Sequence, residues 1–117
     1  MIKMIMTKEN LKITTESNSA NEVKLLLSNL ADFKGKNDKL RTFALAELLP
    51  GEEVEFHIHE GESEQYYIIS GEGEYNDNGK IIPIFPGTST FTPSGEGHGI
   101  KNTGTESLKF IALIILD

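Results

Sequence analysis

From Leu40 to Leu116 the sequence is a succession of short strand-like runs, one about every ten residues, cut apart by turn residues. The runs are Leu40–Leu49, Val54–His59, Gln65–Ser70, Glu72–Asn76, Lys80–Ile84, Thr88–Thr92, Gly99–Asn102 and Leu108–Leu116. This cadence constrains the fold more than any other feature. It leaves room for a turn or two of helix at most and predicts an all-β sandwich or barrel. Pro50-Gly51 ends the first run with the two strongest backbone punctuators. Asp77-Asn78-Gly79 accepts positive φ, so Glu74–Ile84 is expected to be a tight hairpin. Gly71 and Gly73 flank a bend, and Pro83, Pro86 and Pro93 belong at strand ends or edges because proline donates nothing to a ladder. Before Leu40 the pattern is weaker. It reads as a short strand at Leu11–Thr14, a polar loop from Thr14 to Glu22, strand-favouring residues at Leu25–Leu27 and a loop at Lys34–Lys39.

A length of 117 residues fits one domain, 1–117, with a single core. Eighteen acidic residues against eleven basic ones give a formal charge of −7. Such a surface repels a phosphate backbone, so nucleic acid is not an expected partner. The absence of cysteine removes disulfides and thiolate metal sites. The N-terminal apolar stretch meets Lys8 and Glu9 too soon for a signal peptide, and Phe110–Leu116 is far short of the ~20 residues of a membrane helix. The expectation is a soluble cytoplasmic protein with no membrane partner.

Chemistry concentrates in Gly51–Gly71, where His57 and His59 stand two residues apart and Glu64 follows. Strand side chains alternate faces, so the two histidines point the same way, roughly 6.6 Å apart. Imidazole suits transition metals, and a carboxylate adds an oxygen donor. Glu60-Gly61-Glu62-Ser63 has turn composition, which suggests a hairpin returning Glu64 beside the histidine pair. On these residues alone a solvated polar face competes evenly with a cation site. The remaining histidine, His98, lies in Gly87–Asn102, GTSTFTPSGEGHGIKN.

Together the two stretches resemble the cupin superfamily. Gly51, His57, His59, Glu64 and Gly71 fall on the first cupin motif, and Gly87, Pro93, Gly95, His98 and Asn102 on the second. The resemblance spans about residues 45–105. It departs from the common pattern at Thr88, where many cupins carry aspartate, and no ligand position is lost by that. It implies a double-stranded β-helix, the jelly-roll cupin barrel. It also implies a metal held by His57, His59, Glu64 and His98, with Asn102 holding backbone. Three neutral imidazoles and one carboxylate sum to −1, so a divalent ion leaves the centre near +1. Three histidines discourage magnesium and calcium, while manganese, iron, cobalt, nickel, copper and zinc all fit.

Several neighbouring residues have two readings. With Glu64 inward, parity turns Tyr66 and Ile68 inward too, and Tyr66 either orients or protonates a ligand (a catalytic role) or is a core aromatic with a satisfied hydroxyl. Arg41 shares a face with Phe43, Leu45, Glu47 and Leu49, and is either a clamp for an anion or a surface arginine. Gly95, Gly97 and Gly99 are expected to serve turn geometry around His98. Phe110–Leu116 is apolar on both faces, so its outer side needs a cover, either from a segment of the same chain such as Leu25–Leu27 or from a second subunit; with cupins commonly pairing, the expectation is a homodimer. Two functions follow from the resemblance. One is a small metalloenzyme of dioxygenase, isomerase, lyase or decarboxylase type acting on an oxygenated small molecule. The other is a non-catalytic module that binds a sugar or an anion.

Overall fold

Ten strands make up the regular structure among the described residues, which are 12–15, 21–24 and 39–117 of the computed structural model. In chain order they are β1 (Lys12–Thr15), β2 (Asn21–Lys24), β3 (Leu40–Leu48), β4 (Glu53–Ile58), β5 (Glu62–Ser70), β6 (Gly73–Asp77), β7 (Lys80–Ile84), β8 (Ser89–Thr92), β9 (Gly97–Asn102) and β10 (Leu108–Leu116). They form two antiparallel sheets ordered β1-β2-β3-β10-β5-β8 and β4-β9-β6-β7. This is the double-stranded β-helix that the cadence and the motifs lead one to expect. In the N-terminal region a strand at Asn21–Lys24 replaces the tail of the expected loop, because its backbone pairs with β3 between Glu47 and Ala44. The expectations for Leu25–Leu27 and for the loop up to residue 38 lie outside the described residues.

The core lies between the sheets and follows the period of two. Ala44, Ala46 and Leu48 of β3, Tyr66 and Ile68 of β5, and Leu108, Phe110 and Ala112 of β10 face Tyr75, Ile84 and Ile100 of the smaller sheet. Full burial of side chains such as Phe110, Leu48, Ile68 or Ile100 stabilises by about 1.5–3 kcal/mol each. The predicted hairpin is β6–β7, paired from Gly73–Ile84 to Asp77–Lys80. Asn78 at φ 52° and Gly79 at φ 98° make its turn, and two successive positive φ values match the right-handed twist of the strands.

At the bend between β5 and β6 the chain passes from the larger sheet to the smaller. A Cβ on Gly71 would stand 2.4 Å from the Ser107 carbonyl oxygen, and Gly71 has φ 83° as well. Glycine is required there both for space and for conformation. The connection from β4 to β5 makes a similar passage and corrects the expected hairpin. β4 pairs with β9, whereas β5 pairs with β10 and β8. The turn is held instead by the β8–β9 connection. His59 N–H donates to Glu96 O at 3.1 Å, and Gly61 N–H donates to Ser94 Oγ at 2.9 Å. Turn composition reports that the chain reverses. It carries no information on which sheet the next strand joins.

Candidate metal centre

Two strands of the smaller sheet and one strand of the larger sheet supply the site. β4 carries His57, with His59 just past its end, and β9 places His98 directly opposite His57. β9 begins at Gly97, two residues earlier than expected, so His98 stands on a strand rather than in a turn. β5 begins at Glu62 and brings Glu64 across from the other sheet. His59, Glu64 and His98 are buried, and His57 is half-buried. One ligand atom from each of the four lies within 4.8 Å of all the others. The structure therefore brings together all four residues that the motifs pointed to, in an arrangement that could hold a metal ion.

The hydrogen bonds behind the rings decide what the cluster can do. His57 Nδ1 lies 2.7 Å from the Glu55 carbonyl oxygen, an acceptor only, so this nitrogen carries the proton. His59 Nδ1 donates to Glu62 Oε2 at 2.8 Å. His98 Nδ1 has Tyr75 Oη at 2.7 Å and Thr92 Oγ1 at 3.0 Å. Nδ1 is engaged in each ring and the three Nε2 atoms face inward; for His57 and His59 the acceptor behind Nδ1 leaves the Nε2 lone pair free. His59 Nε2 is 3.0 Å from His57 Nε2 and from His98 Nε2. Glu64 Oε1 is 2.9 Å from Nε2 of both His59 and His98. Four potential ligand atoms thus face one another across one small space. The donor set, three imidazoles and one carboxylate, fits a divalent transition metal on these grounds.

Burial pushes the His98 imidazole below its usual pKa, and the adjoining Glu64 carboxylate only partly offsets this. The ring is thereby held neutral, the state in which it can donate to a metal. Burial raises the pKa of the Tyr75 phenol, so it remains a neutral hydrogen-bond partner. Burial alone would raise the pKa of Glu62. Hydrogen bonds from His59 and Arg41 outweigh it and hold the carboxyl below its ordinary range.

Tyr66 faces inward as strand parity required, with its ring stacked on His98 at 5.0 Å and tilted on Phe110 at 4.7 Å. It joins the apolar core to the site. Arg41 is an exposed arginine near the start of β3, as one of its two readings has it, and is not an inward clamp for a bound anion. β3 has its register irregularity here, with Leu40 opposite Ile115 and Thr42 opposite Ile114. From that bulge Arg41 reaches Glu62 and forms an ion pair. Gly97 and Gly99 depart from the expected turn role. Both are in β9, where a Cβ on Gly97 would stand 2.3 Å from the Phe56 ring, and one on Gly99 would stand 3.0 Å from Phe56 N. Gly95, at φ 89°, does serve the turn.

Sequence reasoning missed Glu62, Tyr75 and Thr92. Glu62 has a period-two relation to Glu64 and Tyr66, which marks it as inward once the strand is started early enough. Tyr75 and Thr92 carry no local signal: Tyr75 meets His98 through the pairing of β6 with β9, and Thr92 meets it across the two sheets.

Comparison with known proteins agrees with the geometry. The cupin domain family matches residues 44–114. An oxalate-binding protein of Thermotoga maritima is 49% identical over 90 residues, covering 77% of this chain and 74% of that protein. Auxin-binding protein 1 of Arabidopsis thaliana is 34% identical over 84 residues, 64% of this chain, which span only 39% of its own length. Among solved structures, a predicted oxalate decarboxylase from Thermotoga maritima superposes with a TM-score of 0.85 at 40% identity, covering 97% of this chain and 100% of that one. A cupin from Shewanella frigidimarina shares the fold, with a TM-score of 0.76 at 19% identity over 99% of this chain and 93% of its own. With its two motifs, its paired sheets and these relatives, the chain belongs to the cupin family.

Proposed function

We propose that this protein holds one divalent transition metal through His57, His59, Glu64 and His98, and binds a small chelating dicarboxylate of the oxalate class at that centre. The observation that carries the reading is the convergence of three Nε2 atoms and Glu64 Oε1, each imidazole held from behind by its own Nδ1 partner. Bound there, the ion would supply positive charge and room for oxygen donors beyond the four protein ligands. The four side chains sum to −1 with a dication at +2, and the net +1 favours an anion. The names of the Thermotoga maritima relatives, one an oxalate-binding protein and one a predicted oxalate decarboxylase, support oxalate as the first ligand to try.

The test is calorimetry with metal-loaded and metal-free protein. Oxalate is expected to bind the loaded form and to give no heat with the metal-free form. Equal affinity for both forms, or a His98→Ala variant that retains full metal content, would overturn the assignment.

A second reading, turnover of the bound anion, is favoured by Tyr66, whose ring stacks on His98 at the inner side of the site. Oxalate monoanion would yield carbon dioxide and formate as its C–C bond breaks and the proton passes to the departing carbon, with Tyr66 as a candidate proton donor. Formate released from metal-loaded protein would establish turnover, and a Tyr66→Phe variant that releases formate at the full rate would remove Tyr66 from the role.

A further inference from the structure

The chain contains one arginine, and it is tied to the candidate metal centre. Arg41 donates from Nη1 to Glu62 Oε1, and the second oxygen of that carboxylate receives His59 Nδ1–H at 2.8 Å. Glu62 is buried at 8% exposure, whereas the Arg41 side chain is 55% exposed. A carboxylate this deeply placed is stable only if its oxygens are engaged, and here one oxygen serves the ligand ring and the other the arginine. The same face of β5 thus presents two glutamates with different duties. Glu64 lies among the imidazole Nε2 atoms, and Glu62 stands behind one of them.

Resting on the metal-binding reading above, we infer that Glu62 and Arg41 are a positioning pair with opposite effects on the centre. Glu62 fixes the His59 ring and makes its inward nitrogen a stronger donor, so it favours metal binding. Arg41 cancels the charge of Glu62, so the loaded centre keeps its net +1 instead of falling to zero. It therefore favours the anion without touching it. Neither residue contacts the ion. Both act through His59 and through the field at the site.

A merely structural pair would weaken every property together when broken. The charge argument requires the signs to cross. Glu62→Gln keeps the shape and removes the charge, so Co2+ affinity should fall about 10- to 100-fold. Oxalate should bind the Co2+-saturated variant more tightly than it binds loaded wild type. Arg41→Met removes the cation from a half-exposed position. Co2+ affinity should rise and oxalate affinity fall, each by about threefold to tenfold. The visible spectrum of bound Co2+ should shift in Glu62→Gln, because the donor strength of His59 changes, and Glu62→Asp should partly restore it.

Titrations of Co2+ and of oxalate on wild type, both single variants and the double variant decide the matter, with thermal melts confirming that each is folded. Crossed signs support the pair. If both variants lose Co2+ and oxalate affinity together, or if Co2+ affinity and spectrum are unchanged in Glu62→Gln, the inference fails while metal binding stands. If wild type binds no Co2+, the metal-binding reading itself fails.

Discussion

At the scale of single residues, the ligand candidates were legible because spacing in the chain encodes them. His57 and His59 share a face by strand parity, and Glu64 and His98 fall at fixed motif positions. The groups behind the rings were not legible, since Tyr75 reaches His98 through strand pairing and Thr92 reaches it across the sheets, and no local pattern reports either. Glu64→Gln should leave the fold intact and weaken metal binding by about two orders of magnitude or more, because it deletes the only anion among the four. Competition with a chelating dye would measure this, and an unchanged affinity would remove Glu64 from the site. Acid should destabilise the metal-free protein through two groups. His98 is pushed below its usual range, so the unfolded chain takes up a proton there that the folded one refuses, and stability drops as pH falls below about 6.5. Glu62 is also held below its ordinary carboxylate range, so its contribution is present above that range and fades as pH falls through the lowered pKa. The His98 part alone gives a slope of at most about 1.4 kcal/mol per pH unit. Urea midpoints of metal-free protein at several pH values should decline from pH 7 to 5, and a flat profile would contradict the neutral burial of His98.

At the scale of elements, strand number and most boundaries followed from alternation and turn residues, down to the Asn78-Gly79 hairpin. Apart from that hairpin, the partner of each strand did not. Nothing in Glu60–Ser63 distinguishes a hairpin turn from a corner that changes sheets; the pairing of β4 with β9 and of β5 with β10 and β8 shows which it is. The end of β9 gives a test of how such corners are held. Asn102 is fully buried, donates from Nδ2 to Leu48 O at 2.9 Å and Glu106 O at 2.8 Å, and accepts from Gly104 N–H at 2.9 Å. One side chain thus closes the β3 end, the β9–β10 turn and its own strand. Asn102→Leu keeps the bulk and strands two carbonyls and one N–H, each costing about 1–3 kcal/mol when left buried and unpaired. A loss of about 2–5 kcal/mol is expected in chemical denaturation. A loss under about 1 kcal/mol would mean that water replaces the amide freely.

At the scale of the whole molecule, the interior of the sandwich accounts for one face of each sheet and leaves the outer face of the larger sheet to be explained. Across its strands, Phe43 lies beside Leu113, Leu45 beside Ile111, and Ile111 beside Tyr67. Phe91 lies beside Gln65 at the same level as Leu113. The four residues of β3 and β10 are half-buried, while Tyr67 and Phe91 stay 51% and 59% exposed. A half-buried strand should alternate apolar with polar, and β10 is apolar on both faces from Phe110 to Leu116. Contiguous apolar surface spread over four strands is unusual on a monomer and usual in a twofold contact, where the same patch meets itself. The expected outcome is a homodimer packed through this face, seen in sedimentation velocity as a species of twice the chain mass at micromolar concentration. Tyr67 and Phe91 side chains point away from the metal centre, being offset in parity from Glu64 and Tyr66 on β5 and from Thr92 on β8. Tyr67→Asp with Phe91→Asp should therefore dissociate the dimer and leave metal affinity unchanged. A wild-type species of single-chain mass would refute the dimer, and a double variant that stays dimeric would place the contact on another face.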